Sequence, residues 1–408
     1  MKNCIVAQSG GPTVAINASL SGVIRGALES DKIDKIYGGK NGIQGILEEK
    51  LVVLNDIFGD DNNGEDMLKL LESTPSMYLG SCRYKMKDYT DDSADYDRLC
   101  QIFEKYDIGY FFYIGGNDSM DTVAKLSVYT REKGLDVKVV GIPKTIDNDL
   151  MCIDHTPGFG SAAKFIAATV LEMAHDTYIY HIDTVLIVEI MGRNAGWLTA
   201  AASLARNSYS QAPHLIYLPE KPFDKDDFVN RVKDLIEKQH HVIVAVSEGI
   251  KDAEGKYISA QGGKIDQFGH VMLSGTGEVL KQIVLNEIGC KCRSVELNVL
   301  QRAAAHLASE TDIDESICLG KNGVKLAMEG KSGVMSTIIR DCDEPYKVHY
   351  DGADISMIAN KEKTVPLEWI SEDGTDVNDE MERYLRPLIQ GEKKVNYVNG
   401  IPEYIMMH

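Results

Sequence analysis

The 408 residues suffice for two or three domains of ordinary size, and 44% hydrophobic with 26% charged residues is the mix of a globular protein with a large core. No run approaches the ~20 consecutive apolar residues of a membrane-spanning helix. The net charge of −19, from 43 basic and 62 acidic residues, argues against nonspecific binding to nucleic acid or to an anionic membrane. It leaves small phosphate ligands open, because these respond to the local field of a cleft and to helix N-termini.

The first residues run straight from a short apolar stretch into a glycine turn, so they read as a strand, and no targeting segment is expected. The cysteines at 4, 82, 100, 152, 290, 292, 318 and 342 are scattered without a CxxC pair. They are expected as free thiols in a reducing, cytoplasmic setting.

Five apolar runs each end in a polar or glycine-rich turn. Residues 5–7 lead into Gly10-Gly11 and a helix to 28. Residues 110–114 lead into Gly115-Gly116-Asn117-Asp118 and a helix to about 130. Residues 137–142 lead into Pro143-Lys144-Thr145-Ile146-Asp147-Asn148-Asp149. Residues 184–190 lead into Met191-Gly192-Arg193 and a helix to about 206. Residues 242–246 end at Ser247-Glu248-Gly249.

The runs are continuously apolar rather than alternating, as in parallel strands covered on both faces. Repeated strand–turn–helix order predicts an α/β fold with right-handed crossovers. Ligands of such sheets bind beyond the carboxyl ends of the strands, where these turns lie. The acidic stretches 60–66 and 91–95 read as solvated turns, and the chain after about 364 reads as an extension ending in a short helix.

The turns carry chemistry to different degrees. Gly10-Gly11 opening a helix suits close approach of a phosphate, as would any tight turn. Behind Gly115-Gly116, two polar residues stand side by side, where a helix cap needs only one. In an extended 143–149 segment alternate residues point the same way, so Thr145, Asp147 and Asp149 face one space. A carboxylate there can accept a proton from an attacking hydroxyl, and a second can hold a sugar or a magnesium ion. Lys144 adds a movable cation. Arg193, Arg293 and Arg302 offer planar forks for a sugar phosphate. The GxGxxA-like stretch at 158–163 follows no clean strand and lacks a ribose-binding acid, so no dinucleotide site is expected.

In order and spacing, SGGPTVAIN, GGNDS, PKTIDND, PGFGSA, EIMGRNAGW, SEG and a late LQR resemble the phosphofructokinase family across nearly the whole chain. The tail at 359–370 resembles its pyrophosphate-dependent branch.

The resemblance implies two Rossmann-like parallel-sheet domains with the active site in the cleft between them. Residues 1–158 plus about 302–350 would form the donor domain, and 159–301 plus about 351–408 the sugar phosphate domain. It implies magnesium-dependent, reversible transfer of a phosphoryl group from pyrophosphate to the 1-hydroxyl of fructose 6-phosphate, a step of glycolysis. Asp147 would be the base, with Thr145, Ile146 and Asp149 around it. Met191, Gly192, Arg193 and Glu248 would bind the sugar, and Arg293 and Arg302 its 6-phosphate, one of them across a subunit interface. Gly11 and the GGNDS turn would hold the donor, and Asn117 and Asp118 a magnesium ion. A homodimer or homotetramer is implied.

Lys144 and Asp118 stand where ATP-using members usually have glycine, so both are expected to act in catalysis with pyrophosphate. An Asp118 carboxylate would crowd an ATP α-phosphate. Two unit charges about 4 Å apart interact by about 4 kcal/mol at an effective dielectric near 20, and a third of that disfavours a ligand about tenfold.

Three positions depart from the family pattern: Asn117 replaces an aspartate, Thr184 an arginine and Val299 a histidine. Thr184 and Val299 keep open sedoheptulose 7-phosphate as acceptor, Asn117 keeps open a catalytically silent regulatory subunit, and an ATP-dependent kinase of the same fold is a further alternative.

Overall fold

The computed structural model describes residues 1–59, 63–82, 84–259 and 275–407. Part of the acidic turn expected at 60–66, residues 60–62, lies outside them. The strands, in chain order, are β1 (Lys2–Gln8), β2 (Ile33–Gly39), β3 (Leu51–Val53), β4 (Ile108–Gly115), β5 (Lys138–Pro143), β6 (Thr184–Ile190), β7 (Leu215–Tyr217), β8 (His241–Ser247), β9 (Lys291–Glu296), β10 (Val334–Asp343), β11 (Tyr346–Asp354) and a short terminal hairpin, β12 (Tyr397–Val398) and β13 (Ile401–Pro402).

Two main sheets result. The first runs β11-β10-β5-β4-β1-β2-β3, parallel at its centre with antiparallel strands at both edges. The second runs β7-β8-β6-β9 and is parallel throughout. The α/β fold and all five apolar strands read from the sequence are present.

Burial on both faces explains the unbroken apolar runs. On one face of the first sheet Val6, Phe112, Ile114 and Val140 pack with Ile16, Leu20 and Val23 of the helix Ile16–Leu28. On the other, Ile5, Ala7, Phe111, Tyr113 and Val139 pack with residues of the helices Ala94–Lys105 and Asn117–Glu132. Successive strand residues point to opposite faces, and here both faces are dry. The helices Ile16–Leu28 and Glu310–Met328 meet closely at Gly22 and Gly320. A Cβ on Gly22 would fall 2.1 Å from the Ile317 carbonyl oxygen, and one on Gly320 2.3 Å from that of Ser19.

The tail is shared between the two bodies. Val365, Ile370, Met381, Leu385 and Leu388 join the core of the second sheet, whereas Ile405 packs into the first. The division drawn at 350–351 falls inside β11, whose pairing with β10 runs on to Asp354. The final residues likewise return to the first body, because their apolar side chains find cover there.

Candidate active site

Strand register assembles the site. Gln8 pairs with Ile114, Gly115 with Pro143 and Ile190 with Ser247. Three turns of the first sheet, at 9–12, 116–119 and 144–149, therefore stand side by side, and Met191–Arg193 stands beside Glu248. The two groups of turns line one cleft of about 1200 Å³. A smaller recess of about 220 Å³ adjoins it, lined by Ile146, Met191 and Glu248 and sharing Lys144, Asp147, Arg193 and Arg302 with the cleft.

The segment after β5 alternates as expected. Ile146, Asn148 and Leu150 are buried, while Thr145, Asp147 and Asp149 are partly open and line the cleft. Asn148, in a left-handed conformation (φ 54°), is held from behind. Its amide donates to the Tyr384 hydroxyl at 2.8 Å and accepts from the Thr156 N–H at 3.1 Å. The Thr145 hydroxyl accepts from the Asp147 N–H at 3.1 Å, fixing the carboxylate above the turn.

Lys144 is 2% exposed, and its ammonium donates to the Gly11 carbonyl at 2.7 Å. Burial lowers its pKa to about 8, partly offset by Asp147. Burial raises the pKa of Asp147, against the pull of Lys144, Arg193 and Arg302. Asp149 is raised by burial and then by the neighbouring Asp147, and burial pushes Glu248 up to about 7. The site thus concentrates cations and proton-accepting carboxylates in a poorly solvated space, the setting in which fixed charges act most strongly on a reacting phosphate.

On the sugar-loop side, Gly192 has φ 143°, and its N–H donates to Glu248 Oε1 at 3.4 Å. Arg193 Nε is buried and meets no acceptor among the described residues. A guanidinium in that condition calls for an anionic or hydroxyl-rich ligand. On the donor side, Gly11 approaches Arg302 so closely that a Cβ would fall 3.2 Å from Nη1.

Asp118 lies on the exposed cleft wall, 3.4 Å from the Lys85 ammonium. Asn117 also lines the cleft, but both ends of its amide are engaged: Nδ2 donates to the Lys361 carbonyl and Oδ1 accepts from the Asn360 N–H, each at 2.7 Å. Those two bonds turn the amide toward the tail backbone.

Of the residues expected to bind or react, Arg293 and Gly192 line neither cavity, though Gly192 sits between Met191 and Arg193, which do. Arg293 lies on β9, exposed, with Nη1 3.4 Å from Asp176. Thr184 and Val299 line neither cavity. Sequence reasoning missed Lys85, Asn194, Asn360 and Glu362, which line the cleft. Asn194 follows Arg193 in the EIMGRNAGW motif, and Asn360 and Glu362 lie in the 359–370 tail, but their place in the cleft depends on contacts far along the chain.

Two α/β bodies, with strand-end turns presenting a buried lysine, paired carboxylates and arginines to one cleft, define a phosphotransferase. The phosphofructokinase family model matches residues 3–320, and the chain belongs to that family. It is 40% identical to the pyrophosphate–fructose 6-phosphate 1-phosphotransferase of Methylococcus capsulatus, over 100% of this chain and 96% of the relative. It is 41% identical to the enzyme of the same name from Xanthomonas campestris pv. campestris, over 99% and 96%. The crystal structure of a pyrophosphate-dependent phosphofructokinase from Nitrosospira multiformis superposes with a TM-score of 0.89 at 39% identity, over 99% of this chain and 96% of that one.

Proposed function

We propose that this enzyme transfers a phosphoryl group from pyrophosphate to the 1-hydroxyl of fructose 6-phosphate, giving fructose 1,6-bisphosphate and phosphate. The observation that carries the reading is Lys144 and Asp118 on the wall of one cleft, and full-length relatives that bear this activity in their names support it.

Asp147 accepts the proton of the 1-hydroxyl as its oxygen forms a bond to phosphorus. The bridging P–O bond breaks on the far side, and phosphate leaves beside Lys144. The ammonium offsets charge on the donor and on the departing phosphate. Arg193, Met191 and Glu248 hold the sugar, and Arg302 reaches toward its phosphate. Asp118 adds negative charge and bulk where a nucleotide would extend beyond its terminal phosphates, and so favours the smaller donor.

The reading includes a magnesium ion. The ion takes one or two carboxylates and completes its shell with substrate oxygens and water, and Asp118 and Asp149 line the cleft as carboxylate donors. When bound, it neutralises phosphoryl charge. Because the Asn117 amide is engaged by the tail, these carboxylates would hold the ion.

We also propose a homo-oligomer, since Arg293 lies outside the cavities of its own chain. A cytoplasmic setting is part of the same reading. Among the described residues, no helix is long and apolar enough to cross a membrane.

The test is turnover of fructose 6-phosphate with magnesium, using pyrophosphate or ATP as donor. Turnover with pyrophosphate and little with ATP is expected; turnover with ATP alone overturns the donor assignment. Asp147→Ala is expected to lower kcat by about 10²–10⁴-fold with a modest change in sugar binding measured by calorimetry. Near-normal kcat removes Asp147 from the base role.

A further inference from the structure

The tail segment 360–365 crosses the cleft and bonds alternately to its two walls. On the donor side, Asn360 and Lys361 meet the two ends of the Asn117 amide, and the Asn360 amide donates to Asp121 Oδ1 at 2.9 Å. The Lys363 N–H donates to the Asp149 carbonyl at 2.7 Å. Its ammonium donates to the carbonyls of Asp154 and Ile153 at 2.7 and 3.1 Å.

On the sugar side, Asn194 Nδ2 donates to Glu362 Oε2 at 3.1 Å, and Trp197 Nε1 donates to the Lys363 carbonyl at 2.9 Å. Glu220 Oε1 accepts from the N–H groups of both Gly196 and Val365, at 2.8 and 3.0 Å. One short segment therefore touches the start of the donor helix, the Asp147–Asp149 turn and the sugar loop.

Asn117 is the chemically selective link. Its position must donate to the Lys361 carbonyl and accept from the N–H of the preceding residue, Asn360. An amide does both; a carboxylate only accepts, and would oppose the Lys361 carbonyl with like charge. The adjoining residue Asp118 and the first N–H groups of the helix Asn117–Glu132 then hold their place through this link.

We infer that Asn117 is a positioning residue whose amide locks the tail segment 360–365 to the donor turn, so that donor turn, catalytic turn and sugar loop are held as one unit. The consequence for catalysis rests on the pyrophosphate reading above; the lock itself does not.

The test compares wild type with Asn117→Asp and with Asn360→Gly. The second keeps the left-handed backbone at 360 (φ 59°), adds no charge, and deletes the contact with Asp121. The chain has two tryptophans: Trp197, 3% exposed and bonded to the segment, and Trp369, packed edge-on against it at 6.1 Å. Intrinsic emission therefore reports the lock without any turnover. Both variants are expected to shift emission to longer wavelength.

Both are also expected to raise KM for pyrophosphate about tenfold, the loss of one well-made hydrogen bond, while KM for fructose 6-phosphate and the half-saturating magnesium concentration stay within about twofold. If Asn117→Asp lowers the magnesium requirement and leaves KM for pyrophosphate unchanged, Asn117 is a metal ligand and the inference falls. Emission identical to wild type in both variants also overturns it. Should the wild type show no turnover with pyrophosphate, the functional reading fails and emission alone decides the lock. If Asn117→Asp does not fold, Asn117→Ala, which removes both bonds of the amide and adds no charge, decides in its place.

Discussion

Lys144 hands its buried ammonium to the carbonyl oxygen of Gly11 at 2.7 Å, tying the turn after β5 to the turn after β1. The ammonium also lies close to Gly10, where a Cβ would fall 3.1 Å from Nζ. The lysine is therefore set in the floor of the donor cleft, and its charge is fixed there before any phosphate arrives.

That burial makes the charge pH-sensitive. With a pKa lowered to about 8, the free enzyme holds the ammonium below that pH and loses it above. The profile of kcat/KM for pyrophosphate, which reports the free enzyme, is expected to fall on the alkaline side from about pH 8. Lys144→Met is expected to remove this limb and to lower kcat by about 10²–10³-fold, the usual effect of deleting one charge-stabilising donor. A limb that persists in the variant assigns the titration to another group.

The sequence carried the elements whose signal is local. Unbroken apolar runs revealed strands buried on both faces, and alternation after Pro143 placed Thr145, Asp147 and Asp149 on one side. What it could not carry was contact at a distance. Nothing near Asn117 shows that residues 360 and 361 complete its amide. Nothing near residue 350 shows that β10 and β11 stay paired to Asp354, because the domain boundary is set by which core covers the tail. Arg293 has the residue type of a phosphate ligand, but it lines neither cavity of its own chain.

Behind the catalytic turn, His155 is 2% exposed and lies between two carboxylates. Nδ1 is 2.7 Å from Asp154 Oδ2 and Nε2 is 2.6 Å from Glu315 Oε2. Burial alone would lower its pKa, but Glu315 and Asp154 outweigh it and push it up to about 9. A raised histidine pKa stabilises fully below the unfolded value of about 6.5, and that contribution is lost as pH rises to about 9; the span corresponds to about 3 kcal/mol. His155→Ala is expected to cost about 3–5 kcal/mol at pH 6, since it strands two buried carboxylates. Urea midpoints for both proteins at pH 6 and pH 9.5 check this. The gap should narrow at the higher pH, and an unchanged gap means the histidine is not charged in the native state.

Gly192 occupies a backbone conformation (φ 143°) that side chains rarely adopt, and an added Cβ would fall 2.7 Å from the Ala195 carbonyl oxygen. Its carbonyl also accepts from the Ser247 hydroxyl, so the turn has little freedom to yield. Gly192→Ala is expected to displace Arg193 and to lower kcat/KM for fructose 6-phosphate by about 10²-fold, the cost of roughly 1 Å of misplacement at a reacting centre. Steady-state kinetics with each substrate varied in turn separates this from a general loss. Proportional damage to KM for pyrophosphate means that the change spreads beyond the sugar loop.

Arg293 remains to be placed. Its exposed ion pair with Asp176 is of the kind that contributes little to stability. Close by, the Lys291 ammonium lies 4.6 Å from the Tyr180 ring centre, and Ile179, Tyr180 and Ile182 are 65%, 42% and 48% exposed. A cationic side chain flanked by uncovered apolar ones suits a face between copies of the chain. If Arg293 serves a neighbouring copy's sugar site, Arg293→Ala and Asp147→Ala are each inactive alone but complement when co-assembled. In a hybrid dimer, one cleft then has Asp147 from one chain and Arg293 from the other. Random pairing is expected to restore about a quarter of wild-type activity in a two-fold symmetric assembly. Activity no greater than that of the separate variants means that Arg293 reaches no neighbouring site, and the 6-phosphate then rests on Arg302 and Arg193 of a single chain.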